Sequence, residues 1–114
     1  MEKEWMMFVT GVVPAISSVV RKVTTVGENV LIMSPVYNIF YNSILNNGRH
    51  VLSSDLVFDG KEYHIDFEDL ERKLALSQTT LMIFCNPHNP IGKIWDKETY
   101  KKLVICVRNI TLLF

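Results

Sequence analysis

At 114 residues, 48% of them hydrophobic and 21% charged, the chain has the size and composition of one globular domain, and a disordered or fibrous protein is excluded. Twelve Lys and Arg against twelve Asp and Glu give a formal net charge of +0, so the strong positive field that nucleic acids and anionic membranes attract is missing, and neither is expected as a partner. No apolar run approaches the roughly 18–20 residues of a membrane-spanning helix, and the start, Met1-Glu2-Lys3-Glu4-Trp5, lacks the basic and apolar stretches of a signal peptide, so a cytoplasmic protein is expected.

Trp5 to Val9 is a short apolar run that predicts a strand, and from Val12 the spacing turns helical, with Val12, Ile16, Val19, Val20 and Val23 on one side. Pro14 suits the first turn of that helix, where its missing N–H is not needed. Val30 to Met33 is an apolar run of buried-strand length, stopped by Ser34-Pro35. Val36, Ile39, Phe40, Ile44 and Leu45 mark a second helix that Asn47-Gly48 ends, and His50 to Ser53 is a third strand.

Asp59-Gly60 lies between β-rich residues and predicts a tight hairpin over Val57 to Ile65. Asp66 can cap a helix running through Leu76, with Phe67, Leu70 and Leu74 as its apolar face. Thr80 to Cys85 is another strand, Asn86 to Lys93 a loop holding two prolines and a glycine, and Asp96 the cap of a helix with Tyr100, Leu103, Val104 and Val107. The run Ile110 to Phe114 predicts a last strand. It is entirely apolar and has no following turn, which suggests a piece of something larger. Cys85 and Cys106 show no CxxC spacing and are expected to be buried reduced thiols, and no metal site is expected.

Strands alternating with helices give βαβ units, so the fold class is α/β: a mainly parallel sheet with helices on both faces and no domain boundary inside the chain. In such a sheet, ligands bind beyond the carboxyl ends of the strands. Three strand-to-helix loops leave such ends: Thr10 to Pro14, Ser34 to Tyr37 and Asn86 to Lys93. In the first, Gly11 opens a helix whose early N–H groups, at Val12, Val13 and Ala15, can receive an anion such as a phosphate. No GxGxxG and no GxxxxGK[ST] segment is present, so dinucleotide and nucleoside-triphosphate sites lack their fingerprints.

The third loop, Asn86-Pro87-His88-Asn89-Pro90-Ile91-Gly92, resembles the Asn-Pro-x-Asn-Pro-Thr-Gly segment of pyridoxal-phosphate enzymes of the aspartate-aminotransferase fold, with Ile91 where Thr is usual. Gly11 to Ile16, Ser34 to Phe40 and Tyr63 to Glu71 are similar to the cystathionine β-lyase, or C–S lyase, branch of that family. The Gly-Val-Val-Pro form of the first loop, where aminotransferases usually carry Ser or Thr, points to the lyases. The resemblance covers roughly Trp5 to Leu113.

The resemblance implies a partial large, cofactor-binding domain over residues 1–114, with pyridoxal 5′-phosphate as cofactor. It implies that Gly11, Val12 and Val13 hold the phosphate through backbone N–H groups, that Tyr37 stacks on the cofactor ring and that the Asn89 amide donates to its phenolic oxygen. His88, Tyr41 and Tyr63 are expected to be structural, and Ser34-Pro35 and Asn89-Pro90 are expected as cis peptides. The imine-forming lysine, the aspartate facing the pyridinium nitrogen and the substrate-binding arginine match nothing in this sequence and are expected beyond it. The eight lysines are expected at the terminus, in loops and on solvated helix faces. The parent protein is then expected to be a homodimeric C–S β-lyase that cleaves cystathionine or a related cysteine conjugate, an amino-acid substrate, to thiol, pyruvate and ammonia. An aminotransferase of the same fold shares every motif, and a non-catalytic relative that kept the fold fits the missing lysine. The 114 residues alone are expected to be inactive.

Overall fold

The computed structural model describes residues 2–108. The elements, in chain order, are α1 (Val12–Val23), β1 (Asn29–Ile32), α2 (Asn38–Leu45), β2 (His50–Ser53), β3 (Val57–Phe58), β4 (Tyr63–His64), α3 (Phe67–Leu74), β5 (Thr79–Met82) and α4 (Lys97–Arg108). β1 lies between β2 and β5 and pairs with both in parallel, Leu31 standing opposite Leu52 on one side and Met82 on the other.

The strand residues alternate between two cores, as a pleated sheet covered on both faces requires. Leu31, Met33 and Met82 pack with Leu70 and Leu74 of α3 and with Leu103, Cys106 and Val107 of α4. Val30, Ile32 and Leu81 pack with Val20 of α1 and Ile44 of α2. Each fully buried leucine or isoleucine contributes about 2 kcal/mol of apolar burial, which explains why these short strands hold their register.

Asp66 caps α3 by accepting from the Asp69 N–H at 3.1 Å, and Asp96 caps α4 by accepting from the N–H groups of Glu98 and Thr99 at 2.9 and 2.8 Å. At the opposite end of α1, Arg49 is buried and works as a staple. Its Nε donates to Thr24 Oγ1 at 2.8 Å, and its Nη2 donates to the Thr24 carbonyl at 2.6 Å. Arg49 immediately precedes β2, so the C-terminus of α1 is anchored at the amino end of the sheet. The helix, about 18 Å long at 1.5 Å per residue, therefore carries Gly11 toward the carboxyl end.

Three expectations are corrected here. Met6 to Val9 form no strand: Lys3–Trp5 is a single 3-10 turn, and Met7 and Phe8 are 87% and 91% exposed. Apolar character alone does not make a strand; a neighbouring backbone must accept and donate the ladder bonds, and none among the described residues runs beside this segment. The hairpin is as expected, with Val57 opposite His64 and Phe58 opposite Tyr63, but the Asp59 N–H donates to the Glu62 carbonyl at 3.2 Å, so the tight turn is formed by Gly60 and Lys61, one residue later than Asp59-Gly60. The Asp59 carboxylate accepts from the N–H groups of Lys61 and Glu62 at 2.8 and 2.9 Å and braces that turn. The predicted strand over Thr80 to Cys85 is Thr79–Met82, and the predicted strand at Ile110 to Phe114 lies outside the described residues.

Candidate functional site

Two of the three loops are joined directly. β1 and β5 are parallel neighbours, so the loops that follow them leave the sheet at the same edge. His88, in the loop after β5, is 1% exposed, and its Nε2 lies 3.0 Å from the carbonyl oxygen of Pro35 in the loop after β1. Asn89 adjoins that histidine and Tyr37 lies two residues past that proline, so both are held at the carboxyl edge of the sheet. Gly11 arrives at the same end through the direction of α1.

The loop after β5 is shaped by its own hydrogen bonds. The His88 N–H donates to the Lys93 carbonyl and the Gly92 N–H to the His88 carbonyl, both at 2.7 Å. Gly92 has φ of 71°, a left-handed conformation that glycine adopts without steric cost. Trp95 fastens the base: its indole Nε1 donates to the Cys85 carbonyl at 3.1 Å, and its backbone N–H donates to Asn86 Oδ1 at 3.3 Å. Asn86 is thereby used structurally. The Asn89 side chain is exposed and makes no hydrogen bond among the described residues. Ser34-Pro35 and Asn89-Pro90 are cis as expected, and Asn86-Pro87 is cis as well.

The loop after β1 is tied to β2 by hydroxyls. Ser34 Oγ lies 2.5 Å from Tyr41 Oη and 2.6 Å from Ser53 Oγ, and Ser53 Oγ lies 2.6 Å from Asp55 Oδ1. Tyr41 is structural in this sense. Tyr37 precedes α2 and is 44% exposed, its ring at 82° to that of Phe40 with 6.2 Å between centroids, so part of the side chain is open to a ligand. Tyr63 packs on Phe58, 5.0 Å between centroids.

At the first loop the structure narrows the set of free donors. The Ala15 N–H donates to the Gly11 carbonyl at 3.2 Å, Pro14 has no N–H, and no side chain caps the helix. Val12 and Val13 are left as the unpaired donors of the first turn among the described residues. An open helix start of this kind is suited to an anion.

The lysines are not all in water. Lys73 Nζ lies 2.8 Å from Asp69 Oδ2 and donates to the Ser53 carbonyl at 2.5 Å, with its side chain 25% exposed. Lys93, 20% exposed, is paired with Glu62 of the hairpin. Lys102 sits over the Phe67 ring at 4.2 Å. The sequence did not reveal that Lys73 and Lys93 are sheltered, because the Ser53 carbonyl and the Glu62 carboxylate that meet them come from distant segments. Lys73 in turn holds the Asp69 carboxyl down to about 2, with Arg72 and the Ser54 hydroxyl adding to it against the opposing effect of burial.

Cys106 is a buried free thiol as expected, whereas Cys85 is only half-buried; its Sγ lies 3.3 Å from the Pro87 carbonyl oxygen and 3.5 Å from the Asn89 nitrogen. No group of three or more metal-ligating side chains occurs among the described residues, and no helix there is long and apolar enough to cross a membrane.

Known proteins match the chain along its length. The profile of the family described as "Aminotransferase class I and II" matches residues 2–114. "Cystathionine beta-lyase PatB" of Bacillus subtilis is 46% identical over 100 residues, covering 88% of this chain and 26% of PatB. "Kynurenine--oxoglutarate transaminase" of Dictyostelium discoideum is 30% identical over 102 residues, covering 78% of this chain and 22% of the transaminase. Among solved structures, cystalysin from Treponema denticola, which contains pyridoxal 5′-phosphate, superposes with a TM-score of 0.96 at 34% identity over 99% of this chain and 29% of cystalysin. The chain thus spans between a fifth and a third of the length of these relatives. Its parallel sheet and two-sided helical cover are those of this fold, and the chain belongs to the class I and II aminotransferase family.

Proposed function

We propose that the intact protein is a pyridoxal-phosphate-dependent C–S β-lyase that cleaves cystathionine or a related cysteine conjugate, and that residues 1–114 form part of its large, cofactor-binding domain. The observation that carries this reading is the tie between His88 and Pro35, which holds the Asn89 and Tyr37 loops together at the carboxyl edge of the sheet. The residues fit the cofactor chemically. Val12 and Val13 offer unpaired N–H donors at a helix start to a phosphate, Tyr37 offers an exposed flat face to a ring, and Asn89 offers a free side-chain amide.

When bound, pyridoxal phosphate supplies an electrophilic carbon and an electron-withdrawing ring. The chain's own part is binding and tuning. The backbone around Gly11, Val12 and Val13 grips the phosphate, and Tyr37 covers one ring face and keeps water from it. Asn89 donates to the phenolic oxygen and favours its charged form. The reacting lysine, the pyridinium-facing aspartate and the carboxylate-binding arginine come from segments outside this chain. A small amino-acid substrate, a homodimer and a cytoplasmic setting complete the reading, with no role for nucleic acid or membrane, in line with the balanced charge.

Higher identity to a cystathionine β-lyase than to a transaminase favours lyase over aminotransferase chemistry. Product analysis tests this. The intact protein incubated with L-cystathionine is expected to release pyruvate and a free thiol with no keto acid added. Product formation only when a keto acid is supplied makes it an aminotransferase, and no reaction in either case supports a non-catalytic relative.

A further inference from the structure

The histidine between the two Asn-Pro pairs has a use of its own. We propose that His88 is a positioning residue for the cofactor site: its Nε2–H fastens the Tyr37 loop to the Asn89 loop and so sets where both side chains stand. The inference rests on the reading of these loops as a cofactor site and adds to it a residue that touches neither cofactor nor substrate.

Four observations converge on the imidazole. It is 1% exposed, so its contacts are fixed by its surroundings rather than by water. Its Nε2 lies 3.0 Å from the Pro35 carbonyl oxygen; a carbonyl only accepts, so Nε2 carries the proton, and the tautomer is set by a loop 53 residues away. Its Nδ1 is buried without a hydrogen-bond partner, so this one bond is the ring's polar anchor among the described residues. Its ring stands edge-on to Trp95, 5.7 Å between centroids and 88° between planes, and Trp95 is itself bonded to Cys85 and Asn86 at the base of the same loop.

The backbone of His88 is held equally firmly, donating to Lys93 and accepting from Gly92. Its side chain is therefore a strut with one rigid end on the Asn89 loop. The other end grips Pro35, whose neighbour Ser34 accepts from the Leu56 N–H at 2.7 Å and is fixed through its hydroxyl to Ser53 and Tyr41. Apart from this strut, the two loops are tied to different elements. Without it, Tyr37 follows α2 while Asn89 follows β5, and their separation is no longer set by a direct bond.

The test uses the intact protein with His88→Phe and His88→Gln. Phenylalanine keeps a ring against Trp95 and removes the donor; glutamine keeps an N–H at the reach of Nε2. Amide hydrogen exchange in the cofactor-free protein is expected to rise several-fold in residues 34–37 and 88–93 together in H88F and to stay near the parent in H88Q. With pyridoxal phosphate added, H88F is expected to bind about tenfold more weakly, equivalent to about 1.4 kcal/mol, and to shift the pH midpoint of the bound cofactor's visible absorbance. H88Q is expected to stay within about twofold of the parent in affinity, a fraction of that 1.4 kcal/mol step, and to keep its midpoint. A loss of stability alone raises exchange across the fold rather than in these two loops, and leaves the midpoint in place. Parent-like exchange and midpoint in H88F overturn the proposal, as does equal damage in H88Q, which assigns the effect to ring bulk. If the unsubstituted protein binds no pyridoxal phosphate, the cofactor reading fails, and the exchange arm still decides the coupling of the loops.

Discussion

The indole of Trp95 donates to the carbonyl of Cys85 at 3.1 Å, closing the base of the stretch from Cys85 to Trp95 that presents Asn89. The same side chain is 6% exposed and belongs to the core beneath α3 and α4, so one residue links packing to the shape of the site loop. Trp95→Phe keeps much of the apolar contact and leaves the carbonyl without its donor, a loss of about 1 kcal/mol. Trp95→Ala is expected to cost about 3–5 kcal/mol. Urea denaturation of the two variants checks the order and the gap.

Asp69 gives the fold a pH dependence with a definite sign. Its carboxyl is held down to about 2, mainly by Lys73, whereas the unfolded chain titrates near the ordinary value of 3.8. The unfolded state therefore binds the proton more readily, and the stabilisation is fully present above about pH 4 and is lost as pH falls toward 2. Urea midpoints of the parent and Asp69→Asn, compared at neutral pH and at about pH 2.5, are expected to differ clearly at the first and much less at the second. A gap that does not narrow with acid contradicts the pairing.

Cys106 is expected to be a slow thiol. Burial pushes it up to about 11, and Glu71, whose Oε1 lies 3.1 Å from the sulfur, adds to the shift. At pH 8 only about one thiol in a thousand is then the reactive thiolate. Iodoacetamide labelling followed by peptide mapping is expected to mark Cys85 well before Cys106, and Glu71→Gln is expected to speed the labelling of Cys106 several-fold.

How far the sequence carries the structure depends on what kind of contact each element uses. β1 and β5 are short runs with buried apolar residues facing both cores, β2 is a half-buried strand set off by Asn47-Gly48 before it, and α3 and α4 open on aspartates that cap them, so local patterns were enough to find them. The segment Trp5 to Val9 is also apolar but has no partner strand beside it among the described residues, and pattern alone could not supply one. Asn89 was found through the two Asn-Pro pairs, and Gly11, Val12, Val13 and Tyr37 through the resemblance of their own loops to the same family. The His88 strut was not, because it depends on which distant carbonyl the ring meets, and the same is true of the Ser54–Asp69 bond and the staple made by Arg49.

Residues 1–114 alone are expected to form no specific imine with pyridoxal phosphate. Lys73 and Lys93, the two sheltered lysines, are each engaged by a carboxylate, so neither ammonium group is free to approach a ring aldehyde. Borohydride reduction after incubation with the cofactor, followed by mass mapping, is expected to give scattered low-level labelling of exposed lysines. One dominant modified lysine together with pyruvate release from cystathionine overturns this.

Whether Asn89 touches the cofactor is decided by the pH midpoint of the bound cofactor's visible absorbance in the intact protein and in Asn89→Ala, with Asn86→Ala as the comparison. An amide that donates to the phenolic oxygen stabilises its charged form, so its removal is expected to raise the midpoint by about one unit, equivalent to about 1.4 kcal/mol. Asn86, whose side chain accepts from the Trp95 N–H, is expected to lower stability and leave the midpoint in place. A midpoint unchanged in N89A, or moved as far by N86A, contradicts the placement of the cofactor at the Gly11, Tyr37 and Asn89 loops.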